Sequence, residues 1–397
     1  MALKLPIYLD HNATTPADPR VVDAMAPFWS DDFGNPSSAG HVFGWRAEEA
    51  VAIARERLAS AIGAADPSEI VFTSGTTESD NLALVGLARG HRGRRNHLIT
   101  SAVEHPAVLD ACRFLAGEGF SLTILPVDGE GFVDPAAVAA AITDRTLAVS
   151  IMAANSEIGT LQPIEEIGRI CREREVFFHT DAAQAVGKIP VDVQRWGVDL
   201  LSMCAHKLYG PKGVGALYIR KRRPRIALQP LAHGGGHERE LRPGTLPVPL
   251  IVGFARAVEL CLADLEAEAT RLAGLRETLW KRLSSALEGV ARNGPSGCRL
   301  PGNLNVSFAG VSAEQLLIAL PDVALSTGSA CASGSGEPSP VLEALGLSEE
   351  VARSSLRFGI GRSNDAAEIE WVAKKIVAAV GVLRGQQRSG ALSNPQL

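Results

Sequence analysis

Short runs of β-branched and aliphatic residues recur through the first two thirds of the chain, at 70–73, 97–100, 122–125, 147–151, 176–180 and 200–203, with helical patterns between them. A strand followed by a helix and another strand makes a crossover, and crossovers join parallel strands. The alternation therefore predicts an α/β fold, with a mainly parallel sheet covered by helices. Between the runs, Ala47, Ala50, Val51, Ala54, Leu58, Ala61 and Ile62 follow the i, i+3, i+4 rhythm of one helix over 45–62 that packs on a sheet face, and Gly63 is placed to end it.

After about residue 250 the pattern changes. Two long helical stretches, near 250–268 and 270–289, precede short strands and an amphipathic helix at 366–383, which predicts a smaller α+β domain. The polar stretch 385–397 reads as a frayed tail. With 397 residues and 46% hydrophobic content, the chain has material for two packed domains. Its net charge of -5 argues against a nucleic-acid or membrane-surface partner, and the basic cluster Lys221, Arg222, Arg223 and Arg225 reads as a solvated turn. Six cysteines without CxxC spacing fit a reducing compartment rather than a zinc or disulfide framework. With no secretory, transit or membrane-spanning segment, the expected location is cytoplasmic.

Chemistry concentrates at three strand ends. Lys207 follows an apolar strand and precedes the turn Gly210-Pro-Lys-Gly-Val-Gly215; a lysine partly desolvated there can form a Schiff base, although alone it also fits a surface turn. In Phe72-Thr-Ser-Gly-Thr-Thr77 a strand runs into small hydroxylated residues and a helix start, which suits phosphate and equally suits ordinary capping. Asp181 ends a third strand, where a carboxylate can keep a pyridine nitrogen protonated or cap the next helix. One further strand fits between Asp181 and Lys207, so both can reach one ligand.

These segments resemble the fold-type-I pyridoxal-phosphate enzymes and, in detail, the cysteine desulfurases of the NifS/IscS class. The resemblance spans nearly the whole chain through Tyr8-Leu-Asp-His-Asn-Ala-Thr-Thr-Pro16, Phe33-Gly-Asn-Pro-Ser-Ser38, Thr73-Ser-Gly-Thr-Thr-Glu-Ser-Asp-Asn81, Glu104-His-Pro-Ala-Val108, Asp181-Ala-Ala-Gln184, His206-Lys207, Gly234-Gly-Gly-His-Glu-Arg239 and Ser326-Thr-Gly-Ser-Ala-Cys331. It implies a large domain over 14–255 with a seven-stranded sheet, and a small domain from 1–13 and 256–397. It further implies a homodimer, L-cysteine as substrate, and a sulfur-acceptor protein such as an iron–sulfur scaffold as partner.

Carried over position by position, the resemblance implies that Lys207 binds pyridoxal phosphate covalently, Asp181 pairs with its ring nitrogen and Gln184 meets its ring hydroxyl. His105 would stack on the ring, while Thr76, Thr77, Cys204, His206 and Thr245 would surround the phosphate, Thr245 coming from the neighbouring subunit. Arg357, with Asn35 and Asn155, would hold the substrate carboxylate, a bidentate task that suits arginine. Cys331 would receive sulfur as a persulfide. No resident metal is implied, although Cys331 is a candidate transient iron–sulfur ligand.

Two positions depart from the family pattern. Cys204 stands where many relatives carry serine, and Ser156, expected at the cofactor hydroxyl, stands where they carry a second asparagine. Cys112, Cys171 and Cys261 read as core residues in helices, Cys298 has no assigned role, and His233 and His237 read as structural or cofactor-edge residues. A selenocysteine lyase, a fold-type-I aminotransferase and a non-catalytic relative of the same fold remain open alternatives.

Overall fold

The computed structural model describes residues 3–93, 95–328 and 338–392. Two strands open the chain's account of its two cores: β1 (Ile7–Tyr8), which belongs to the smaller one, and β2 (Ile70–Thr73), which belongs to the larger. Then follow β3 (His97–Ser101), β4 (Ser121–Leu125), β5 (Thr146–Ser150), β6 (Phe177–Asp181), β7 (Leu200–Cys204) and β8 (Gly215–Ile219). Among the described residues, β2 to β8 form a seven-stranded sheet in the order β2-β8-β7-β6-β5-β3-β4. All pairs from β7 to β4 are parallel, whereas β8 runs antiparallel to both β7 and β2. Strands such as β2, β3, β5 and β7 are buried along their whole length, as strands covered on both faces must be.

This topology gathers one set of strand ends. Asp181 closes β6 opposite Ser202 of β7, Cys204 closes β7 opposite Gly215, and Gly215 also faces Thr73 at the end of β2. The reversed β8 thus brings the helix that follows β2, Thr76–Gly90, to the same edge as Asp181 and Lys207. A Cβ on Gly215 would lie 2.7 Å from both Gly75 Cα and Met203 O, so only glycine lets these backbones approach. Crevices at the carboxyl ends of parallel strands are where such sheets bind ligands.

The smaller core surrounds an antiparallel sheet of β9 (Val290–Asn293), β10 (Asn303–Phe308) and β12 (Ser355–Gly359), in the order β12-β10-β9. Leu304, Val306, Phe308, Leu356 and Phe358 pack there against Leu279, Ile369 and Ile376 from the helices Leu265–Ala286 and Ala366–Leu392. The amino-terminal segment joins the two cores. It pairs through β1 with β11 (Val323–Ala324), bonds His11 N to Gly359 O, and then bonds Thr15 N to His206 O beside Lys207.

The 45–62 helix spans Val42–Ala61, and Gly63 follows it in the left-handed region at φ 68°. The later helices are Val248–Ala263 and Leu265–Ala286, broken at Asp264. One expectation is corrected: the last helix continues past Gly385 to Leu392 rather than fraying at 385. Gln, Arg, Ala and Leu are competent helix formers, so the polar composition there marks a helix rather than its end. Among the described residues, no helix is long and apolar enough to cross a membrane, and no cluster of three or more metal-type ligands occurs.

Candidate functional site

A cavity of about 490 Å³ opens where the strand ends converge, lined by Asn12, Thr14, Thr76, Thr77, His105, Ser156, Asp181, Gln184, Cys204, His206, Lys207 and Arg357. Lys207 sits on the 3-10 turn Ala205–Lys207 that ends β7. Its Nζ donates to Asn12 O at 2.9 Å and Ala13 O at 2.6 Å. Burial holds its pKa below that of an ordinary lysine; the nearby Arg357 adds to this, while Cys204 and Asp181 oppose it. An amine so placed has a larger neutral, nucleophilic fraction.

Asp181 is 7% exposed. Its Oδ1 accepts from Ala183 N at 2.8 Å, and burial raises its pKa against the opposing pull of that bond, His105 and Lys207. Such a carboxyl is short of positive charge and suits a cationic ring nitrogen. His105 caps the helix Pro106–Gly117, its Nδ1 accepting from Ala107 N at 3.1 Å. Burial, opposed by Asp181, lowers its pKa. The neutral ring with Nδ1 as acceptor carries its proton on Nε2, so it offers a donor at that atom.

The residues present fit pyridoxal phosphate. The helix Thr76–Gly90 starts at Gly75 without any side-chain cap, and its first closing bond is Ser79 N to Gly75 O. Its leading N–H groups and dipole therefore face the cavity end. The buried Thr76 hydroxyl lies beside the Cys204 sulfur with no nitrogen or oxygen partner. Both features suit a phosphate.

Arg357 lies within β12 at 1% exposure. Its Nη2 donates to Asp10 Oδ1 at 2.7 Å and its Nη1 to Ser156 O at 3.4 Å, while Nε is buried without a partner. A guanidinium with that spare capacity can hold a substrate carboxylate. The backbone of Arg357 bridges Ser326, and Ser339 Oγ donates to Glu157 Oε2 at 2.5 Å. Cys331 falls between these two anchors and lies outside the described residues.

Three expected contacts are absent from the cavity lining. Asn155 holds the loop that carries Ser156: its Nδ2 donates to Val103 O and its Oδ1 accepts from Glu157 N and Ile158 N. Asn35 is exposed, and its Oδ1 accepts from Ser37 N. Thr245 is exposed within the single chain. His233 lines a separate groove beside Arg239. Cys112, Cys171 and Cys261 are buried in helices as expected, and Cys298 is exposed.

Sequence reasoning did not single out the carboxyl groups behind Asp181. Glu104 Oε1 accepts from Ser101 Oγ at 2.7 Å and Met152 N at 2.8 Å, while Oε2 is buried without a partner. Burial pushes its pKa up to about 8, and burial likewise holds Asp80 well above the carboxylate range. The folded chain thus keeps a proton on Glu104 that the unfolded chain releases above 4.5. This contribution to stability is complete below pH 4.5 and is lost as pH rises through about 8. Glu104→Gln should therefore gain stability over the parent by roughly 3 to 4 kcal/mol more at pH 9 than at pH 5. Denaturant unfolding at the two pH values measures it; parallel pH profiles for parent and variant would refute it.

Residues 7–372 match the family described as Aminotransferase class-V. A relative from Rickettsia typhi named cysteine desulfurase IscS is 50% identical over 382 residues, covering 96% of this chain and 93% of its own. A Drosophila melanogaster relative named cysteine desulfurase, mitochondrial, is 53% identical over 96% of this chain and 82% of its own. Among solved structures, a NifS-like protein superposes with a TM-score of 0.88 at 38% identity, covering 95% of this chain and 99% of that one. A structure titled SspA in complex with cysteine superposes with a TM-score of 0.79 at 40% identity, over 89% of this chain and 98% of that one.

Proposed function

The chain belongs to the class-V aminotransferase family, and from that premise we propose that it is a pyridoxal-phosphate-dependent cysteine desulfurase, which converts L-cysteine to L-alanine and passes the sulfur to Cys331. The observation that carries this reading is the convergence of the Lys207 amine, the Asp181 carboxyl and the Arg357 guanidinium on one cavity.

Lys207, Asp181, Gln184, His105, and the Thr76, Thr77, Cys204 and His206 segments would hold the cofactor. Pyridoxal phosphate bound there supplies an electron sink for the pair left when the substrate Cα loses its proton. Arg357 takes the substrate carboxylate and fixes Cα relative to Lys207 Nζ. Lys207, depressed in basicity by burial, accepts and returns protons at Cα. His105 offers Nε2–H from the lining of the same cavity. Ser156, which lines the cavity and whose side chain is shorter than that of asparagine, would meet the ring hydroxyl through a bridging water.

Sulfur transfer breaks the substrate Cβ–S bond and forms an S–S bond to the Cys331 thiolate. Cβ takes a proton, so cysteine and a thiol become alanine and a persulfide with atoms and electrons balanced. Arg357 bridges Ser326 and Ser339 is tied to Glu157, so both described ends of the Cys331 segment start at the cavity edge.

The reading extends to a homodimer in which Thr245 reaches the partner's phosphate site, to a reducing, cytoplasmic setting, and to a sulfur acceptor such as an iron–sulfur scaffold. Incubation with L-cysteine should yield alanine, and mass mapping should find one added sulfur atom on Cys331. Cys331→Ser should keep the bound cofactor's visible absorbance and lose the persulfide and its turnover. Full cysteine-dependent activity in that variant would favour an aminotransferase instead.

A further inference from the structure

Gln184 holds its place in the cavity through a set of bonds that the reaction scheme leaves unused. Its Oε1 accepts from Lys188 Nζ at 2.6 Å and from Asn12 Nδ2 at 3.3 Å, and its Nε2 donates one hydrogen to Asn12 O at 2.8 Å. A carboxamide is nearly symmetric in shape, so its neighbours decide which end faces a ligand. Asn12 O is shared, because Lys207 Nζ also donates to it at 2.9 Å. The Lys188 bond therefore constrains Gln184 from the end that Lys207 does not touch.

Lys188 approaches from a second cavity of about 170 Å³ that lies between the two cores and is lined also by His11, Cys261 and Arg362. The ionisable groups that act most on its amine are Lys207, Cys204, Cys261 and Arg357, His11 lies close by, and the carboxylates of the same cavity are Asp264 and Glu268. Burial first, and then Lys207, lowers its pKa to about 7. In either protonation state it keeps hydrogens to donate, so the bond to Gln184 persists across neutrality.

We propose that Lys188 is a positioning residue: by holding Gln184 Oε1 toward the smaller cavity, it turns the second Nε2–H toward the ring oxygen of the cofactor. This rests on the cofactor placement proposed above. Donation to an oxyanion favours its deprotonated form. Loss of that donor therefore raises the pH at which the visible absorbance of the bound cofactor titrates.

Removing a buried positive charge shifts the titration in the same direction, so a double-mutant cycle on the cofactor-loaded enzyme separates the two causes. Lys188→Met and Gln184→Leu should each raise the midpoint by roughly one pH unit. The double variant should shift no further than Gln184→Leu alone. An unchanged midpoint in Lys188→Met, or additive shifts in the double variant, would overturn the proposal. Should Lys188→Met not fold, Lys188→Leu enters the same cycle with the same expected non-additivity. A parent enzyme with no visible band, and no borohydride-fixed cofactor on Lys207, would instead sink the cofactor placement and this inference with it.

Discussion

Lys207→Ala should lower conversion of L-cysteine to L-alanine by at least about 10³-fold, because one positioned side chain is removed from both cofactor attachment and proton transfer at Cα. The fold should survive. Lys207 ends a short 3-10 turn, and its amine bonds only two carbonyls of the amino-terminal segment, Asn12 O and Ala13 O. That segment stays anchored without the amine by Thr15 N and Thr15 Oγ1, both bonded to His206 O, and by His11 N to Gly359 O. Unfolding midpoints of parent and variant should therefore lie close together, while steady-state alanine formation separates them. Borohydride should fix cofactor to the parent and not to the variant. Alanine formation within tenfold of the parent would remove Lys207 from the chemistry.

Six strands and the mainly parallel character of the sheet were legible because each is a short apolar run bounded by helical periodicity, and 70–73 matches β2 without adjustment, whereas β8 and its antiparallel direction were not. Lys207, Asp181 and Thr76 were legible for a related reason. Each alone also suited a cap or a surface turn, and it was their recurrence at strand ends with crossover spacing that implied a shared crevice. What sequence could not supply is long-range pairing. Asp10 bonds Arg357, 347 positions away, and Asn12 bonds Gln184 and Lys207 from the opposite end of the chain. Asn155 adds a second case: its type suited a ligand contact, and nothing in the sequence signalled that its amide also braces the tight loop it sits in. Lys188 gave no signal at all, since a lysine four residues after Gln184 looks like a solvated helix position until its burial is known.

Asp181→Asn should separate catalysis from stability, because the same carboxyl serves one and strains the other. Asp181 shares the interior with Asp80 and Glu104, and burial raises the pKa of all three. Repulsion from Asp181 adds to the upward shift of each of the other two. Glu104, with its pKa at about 8, keeps its proton through neutrality, and Asp181 is the member of the three that faces the cavity. The Ala183 N–H supports the charged form of Asp181, together with His105 and Lys207. An asparagine can still accept from Ala183 N, but it then turns an NH₂ toward the ring nitrogen and cannot keep that nitrogen protonated. Turnover should fall by about 10² to 10³-fold, the range expected when a charge-assisted bond to the reacting system is lost. Without cofactor, the variant should be more stable than the parent at pH 8, since a carboxyl whose pKa burial raises is no longer held in the interior. Cysteine turnover and unfolding of the cofactor-free protein read the two effects separately. A variant that keeps activity within tenfold would show that Asp181 does not serve the ring nitrogen, and one that loses stability at pH 8 would show that burial of the Asp181 carboxyl does not strain the fold.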